Sequence, residues 1–244
     1  MKAKGDTTEM YSKRILPFIA ATWPAWAILI GGCDQGQTSM VRTDQTAEPA
    51  APPAPRYLDQ AHAPTGSGWV DLISADLSGW RPRNADRPLS WKVVDGVMIN
   101  TFPEGQHGVD IITDRKFDDL EIYYEYRIPR GSNSGVYLQG RYEIQVVDDH
   151  GRPPSKGGNG ALYSTAAPSK NVSKPAGEWQ SVYARIADNK ITIVLNGEKV
   201  IDSFEVTRPT GGELDNKVGE PGPVMIQGDH GPIEVRVMQV RPLN

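Results

Sequence analysis

Residues 136–146 hold the side chains best suited to polar recognition. Val136 and Leu138 alternate with Tyr137 and Gln139, and Tyr142, Ile144 and Val146 alternate with Glu143 and Gln145. Successive strand residues face opposite ways, so hairpin pairing gathers Tyr137, Gln139, Glu143 and Gln145 on one face. Amides and a carboxylate match sugar hydroxyls, and an aromatic ring can stack on a sugar face. The same alternation also describes an ordinary solvated sheet face. Two polar, glycine-rich segments flank this region, Arg130–Gly135 and the stretch from Asp148 through Gly157-Gly158-Asn159-Gly160 to Gly177. Loops of this kind carry function on a rigid β scaffold.

The elements that must position these residues have the period of strands. Leu120, Ile122, Tyr124, Tyr126 and Ile128 alternate with Glu121, Tyr123, Glu125 and Arg127, the pattern of an antiparallel strand with one buried face. Val182, Ala184 and Ile186 repeat it, and Asp188-Asn189 makes a turn into Ile191, Ile193 and Leu195. Asn196-Gly197 and Asp95-Gly96 are two-residue hairpin turns. About a dozen strands with no long helical period predict an all-β domain of two packed antiparallel sheets from Gly68 to Asn244.

The N-terminal third reads differently. Lys13 and Arg14 precede an apolar run of 16 residues, Ile15 to Ile30, with Pro17 and Pro24 inside it, followed by Gly31-Gly32-Cys33. The run is short for a helix crossing roughly 30 Å of hydrocarbon. It reads as a signal peptide over residues 1–33 ending in a lipobox, with Cys33 as the site of lipid attachment. A plain signal followed by a stray cysteine is the alternative. Residues 34–67, centred on Ala50-Ala51-Pro52-Pro53-Ala54-Pro55, have no apolar periodicity and read as a disordered tether. Export to the bacterial cell envelope, with the domain held at a membrane through its lipid, follows from that reading. Thirty acidic against twenty-six basic residues give a formal charge of −4, too mild to point to nucleic acid as a partner. The single cysteine excludes an internal disulfide.

Nine short stretches occur in order across the domain. They are Trp69-Val70-Asp71-Leu72, Leu77-Ser78-Gly79-Trp80, Trp91-Lys92-Val93-Val94-Asp95-Gly96, Asn133-Ser134-Gly135-Val136, Tyr142-Glu143-Ile144-Gln145, Gly160-Ala161-Leu162-Tyr163, Ala167-Pro168-Ser169-Lys170, Gly177-Glu178-Trp179 and Gln227-Gly228-Asp229-His230-Gly231. Together they resemble the 3-keto-disaccharide hydrolase family. The resemblance implies a concanavalin A-like jelly-roll sandwich and a substrate already oxidised to a ketone at sugar carbon 3. It therefore also implies an upstream sugar 3-oxidoreductase as the source of that substrate.

A ketone at carbon 3 acidifies the hydrogen on carbon 2, so cleavage can run by proton abstraction, expulsion of the aglycone and addition of water. That route needs a base, an acid and a stabiliser of oxyanion charge, unlike the paired carboxylates of ordinary glycosidases. His230 is the first candidate for base or acid and Glu143 the second, with Lys170 as the oxyanion stabiliser and Tyr163 beside it on the long loop. Asn133, Gln145 and Gln227 are candidate hydroxyl contacts, joining Tyr137 and Gln139 of the hairpin face. A divalent cation held by Glu143, Asp148 and His230 is conceivable, although no HxH, HExxH or paired-cysteine spacing supports one. A carbohydrate-binding module without catalysis is the competing reading. It requires no convergence of His230, Glu143 and Lys170, whereas an enzyme does.

Overall fold

A computed structural model describes residues 64–103 and 105–243. The signal segment, Cys33 and nearly all of the tether lie outside the described residues. Thirteen strands and no helix are present among the described residues. In chain order they are β1 (Val70–Asp71), β2 (Trp80–Pro82), β3 (Trp91–Val94), β4 (Val97–Asn100), β5 (Ile111–Phe117), β6 (Leu120–Arg127) and β7 (Asn133–Leu138). There follow β8 (Tyr142–Val147), β9 (Gln180–Ala187), β10 (Lys190–Leu195), β11 (Glu198–Glu205), β12 (Gly222–Ile226) and β13 (Ile233–Pro242).

The strands form two sheets, and all their pairings are antiparallel. An eight-stranded sheet runs β11-β10-β9-β6-β13-β4-β3, with β1 added along the far half of β13. A five-stranded sheet runs β2-β5-β12-β7-β8. The expected jelly-roll class of sandwich is therefore what the chain adopts. Sequence neighbours pair through tight turns where the residues permit φ > 0. Asp95-Gly96 has φ of 51° and 78°, and Asn196-Gly197 has 51° and 82°; both are the left-handed pair that a two-residue hairpin turn demands.

The core lies between the sheets. Leu120, Ile122, Tyr124 and Tyr126 of β6 meet Val136 and Leu138 of β7, Ile144 and Val146 of β8, and Val224 and Ile226 of β12, all of them fully buried. Each large apolar side chain removed from water in this way contributes roughly 1.5–3 kcal/mol. Burying one face of β7, β8 and β12 forces their other residues outward. Tyr137, Glu143, Gln145 and Met225 therefore share the outer face of the smaller sheet.

The outer face of the larger sheet is not bare. Tyr123, Tyr183 and Val194 cluster there with Trp69 and Val237 against them. Trp179 sits between the guanidinium groups of Arg127 and Arg236, 4.8 and 4.5 Å from its ring centre. It ends one residue short of β9, where the chain has left the sandwich interior.

Candidate functional site

Register builds the site. Tyr137 lies opposite Glu143 across β7–β8 and opposite Met225 across β7–β12, while Gly135 lies opposite Gln145. The ladder continues past β12, because Gln227 N–H donates to the Gly135 carbonyl at 2.8 Å. Beyond β8, Tyr163 N–H donates to the Glu143 carbonyl at 3.0 Å and Gln145 N–H to that of Ala161 at 2.9 Å. Two rows of side chains thus cross the sheet, Met225-Tyr137-Glu143-Tyr163 and Gln227-Gly135-Gln145-Ala161.

Gly135 makes the hollow. A Cβ there would fall 2.2 Å from Glu143 Oε1, so the carboxylate folds over the space a side chain would fill. Residues 206–221 roof it and are pinned to the sheet. Glu143 N–H donates to Thr210 Oγ1 at 2.9 Å. The fully buried Arg141 donates to Asp215 Oδ1 at 2.5 Å and to the Glu220 carbonyl at 2.6 Å. Directly after β2, Arg83 reaches the carbonyls of Gly212 and Glu213 at 2.8 and 2.7 Å.

The His230 loop is fixed from below. Asp110 Oδ1 accepts from Gly228 N–H at 2.9 Å, and the buried Asn100 donates to the carbonyls of Gly228 (2.8 Å) and Gly231 (3.3 Å). Ser134 Oγ donates to the Gln227 carbonyl at 2.7 Å. Glycines allow the approach: a Cβ on Gly231 would meet Ser132 Oγ at 2.4 Å, and one on Gly228 would meet the Val109 carbonyl at 2.2 Å.

The result is a cavity of about 180 Å³ lined by Asn133, Tyr137, Glu143, Gln145, Tyr163, Gly211, Gly212, Gln227 and His230. Seven of the nine expected site residues, other than Cys33, are therefore gathered. Gln139 is not among them. It occupies the turn between β7 and β8 with φ of 52°, and its amide donates to the Asp118 carbonyl at 2.9 Å. The strand ends one residue earlier than alternation suggested. Lys170 is also elsewhere, exposed and paired with Glu198 at 2.6 Å. Asp148 is likewise separate, accepting from Gly131 N–H at 2.9 Å. The three carboxylate and imidazole groups considered for a cation are thus not assembled, and no cluster of three or more His, Cys, Asp or Glu suited to a metal occurs among the described residues.

The electrostatics of the hollow centre on Glu143, which is only 3% exposed. Burial pushes its carboxyl up to about 7, opposed by the Tyr137 hydroxyl and by His230. Desolvation disfavours the ionised form. In the orientation that satisfies its neighbours, the Gln145 amide nitrogen donates to Glu143 Oε1 at 3.1 Å and to the Ser134 carbonyl at 3.2 Å, and its oxygen faces the Asn133 amide at 3.0 Å. Asp229 Oδ1 lies 2.5 Å from His230 Nδ1. A carboxylate can only accept, so the neutral imidazole carries its proton on Nδ1 and leaves Nε2 basic. Burial also raises the Asp110 carboxyl, opposed by the Gly228 amide and by Arg83. The Gln227 Oε1 atom is buried without a hydrogen-bond partner among the described residues.

A larger depression of about 390 Å³ lies between β1, the β3–β4 turn and β13. It holds no imidazole and no convergent acid and base, so the smaller hollow has the chemistry. Sequence reasoning missed Gly135 as the floor, Gly211 and Gly212 as the roof, and Asp110 and Asn100 as supports. Only Gly135 and the Gln227–Gly231 stretch carried a local signal.

Comparison with known proteins fits this geometry. The 3-keto-alpha-glucoside-1,2-lyase-like domain family matches residues 68–241. A 3-keto-disaccharide hydrolase from Bacteroides thetaiotaomicron is 23% identical over 217 residues, 73% of this chain and 75% of the relative. Two structures classed as glycosyl hydrolases, both from Parabacteroides distasonis, share the fold. One is 24% identical with a TM-score of 0.60, covering 78% of this chain and 97% of its own. The other is 25% identical with a TM-score of 0.57, covering 72% and 99%. The match over the whole sandwich places this chain in the family of 3-keto-alpha-glucoside-1,2-lyase-like domains.

Proposed function

We propose that this chain is an enzyme that cleaves 3-keto-glycosides. The observation that carries the reading is the convergence of a buried carboxyl near pKa 7 (Glu143) and an Asp-paired imidazole (His230) on one hollow that the amides of Asn133, Gln145 and Gln227 also line. A binding-only module has no use for that pair. A hollow of about 180 Å³ is smaller than the ~300–1,000 Å³ of drug-sized sites, which suits a single sugar ring.

In this reading His230 Nε2 takes the proton from carbon 2, and the electron pair moves into the enolate toward the oxygen on carbon 3. The amide N–H of Asn133 donates to that oxygen, in place of Lys170. The enolate then expels the aglycone from carbon 1, and Glu143 in its protonated form delivers the proton to the leaving oxygen. Water adds to carbon 1, its proton passing to Glu143, while His230 returns a proton to carbon 2. The net change is hydrolysis, with acid and base restored. Tyr163 and Gln227 hold the ring through stacking and a hydroxyl contact. The cellular setting belongs to the same proposal: a lipid at Cys33 would hold the domain in the cell envelope, and a sugar 3-oxidoreductase would supply the ketone.

The test incubates the full chain with a 3-keto-glucoside in heavy water and follows the products by NMR. Deuterium at carbon 2 of the released 3-keto sugar is expected. Cleavage without exchange would rule out the enolate route, and binding without cleavage would rule out catalysis.

A further inference from the structure

A second hollow adjoins the first. It measures about 200 Å³ and is lined by Arg83, Asn84, Arg87, Val109, Asp110 and Asp229. The two share walls. Asp229 lines the second while its carboxylate holds His230 of the first at 2.5 Å. Arg83 lines the second while donating to the carbonyl of Gly212, which lines the first, at 2.8 Å. The Asp110 charge acts on both Glu143 and Tyr137. A ligand seated beside His230 can therefore extend toward this hollow.

Its composition is selective. Two guanidinium groups and two carboxylates leave no net charge, which disfavours an anionic group such as a phosphate. Arg83 is already committed to Asp110 at 3.3 Å and to two carbonyls. No aromatic ring lines the hollow, and Val109 is its one apolar residue. Arg87, oriented by its bond to the His107 carbonyl at 3.1 Å, and Asn84 bring donors and an amide to the open side. Dense, balanced donors and acceptors match hydroxyls and offer an aromatic ring nothing to stack on.

We infer that this hollow is the leaving-group subsite and that Arg87 and Asn84 are specificity-determining residues favouring an uncharged, hydroxyl-rich aglycone over an aromatic one. The inference rests on the proposed cleavage of 3-keto-glycosides. Its test compares the full chain with Arg87→Ala and Asn84→Ala on three probes of matched anomeric configuration: a 3-keto glucosyl-glucose, methyl 3-keto-glucoside and p-nitrophenyl 3-keto-glucoside. Loss of one or two hydrogen bonds should lower kcat/KM for the disaccharide about tenfold more than for the other two. An equal fall on all three, or no fall on the disaccharide, overturns it.

If the unaltered chain cleaves none of the probes, the cleavage reading fails, and calorimetric binding decides the subsite separately. Disaccharide binding about tenfold tighter than that of the methyl glycoside, with the advantage lost in Arg87→Ala, supports it. Equal binding of the two, or binding of neither, overturns it. Melting curves of both variants establish that the fold is intact.

Discussion

The two outer faces of the sandwich both bury carboxylates, and they treat them in opposite ways. On the larger sheet Glu121 and Glu125 are 4% and 6% exposed. Glu121 is held by Arg241 and by the Tyr183 hydroxyl at 2.8 Å, and Glu125 by Arg236 and the Tyr123 hydroxyl at 2.7 Å. On the smaller sheet Glu143 is equally hidden, yet its bonded neighbours are a tyrosine and an amide rather than a guanidinium. A buried charge with an arginine is fixed and structural. A buried carboxyl without one has its proton affinity raised into the neutral range, where it can exchange a proton with a substrate. Equal burial therefore separates a fastening from a reactive group only when the partner is considered.

The comparison can be broken first at Glu143. Glu143→Gln keeps size and hydrogen bonding but removes the exchangeable proton, and kcat should fall about 10²–10⁴-fold with the fold retained by circular dichroism. Gly135→Ala should come next. The added Cβ displaces the Glu143 carboxylate, and misplacement on that scale costs about 10²-fold in kcat/KM, measurable with the same substrate.

Proton linkage gives a third way. The folded Glu143 carboxyl lies near 7 against 4.5 for a free glutamate, so the folded state binds the proton more tightly than the unfolded chain. Its contribution is at its best below pH 4.5 and is lost as pH rises through about 7, a swing on the order of 3 kcal/mol. Wild type should therefore lose stability relative to Glu143→Gln between pH 4.5 and 8, seen as a divergence of melting temperatures. A constant difference across that range would contradict the linkage.

The opposite face sharpens the contrast. Glu125→Gln breaks a structural pair and should cost about 1–3 kcal/mol of stability while kcat stays within about twofold. Lys170→Ala removes an exposed pair, with both side chains about half exposed. It should change stability by less than about 1 kcal/mol and leave kcat within about twofold.

The sequence made the hairpin face legible because alternation over residues 136–146 has only one reading once a core exists. The Asp95-Gly96 and Asn196-Gly197 turns were equally plain, since those dipeptides accept positive φ at little cost. Gln139 was misplaced because Gln-Gly is a weaker turn signal, and the end of β7 was invisible without it. Trp179 directly precedes the apolar alternation of β9, yet two arginines from β6 and β13 hold its ring, and no local pattern encodes them. The roof at Gly211 and Gly212, the Arg83 latch and the Asp110 support depend on contacts spanning 67 to 130 residues. No local pattern encodes them. Lys170 shows the converse, a loop cation whose partner Glu198 lies far along the chain.

The most direct measurement is an NMR titration of the ¹³C-labelled side-chain carboxyls, with Glu143 assigned by its loss in Glu143→Gln. A midpoint near 7 is expected for that signal. A midpoint near the ordinary glutamate value of about 4.3 would show that Glu143 is ionised like any surface carboxylate, and its role as the proton-delivering acid would fall with it.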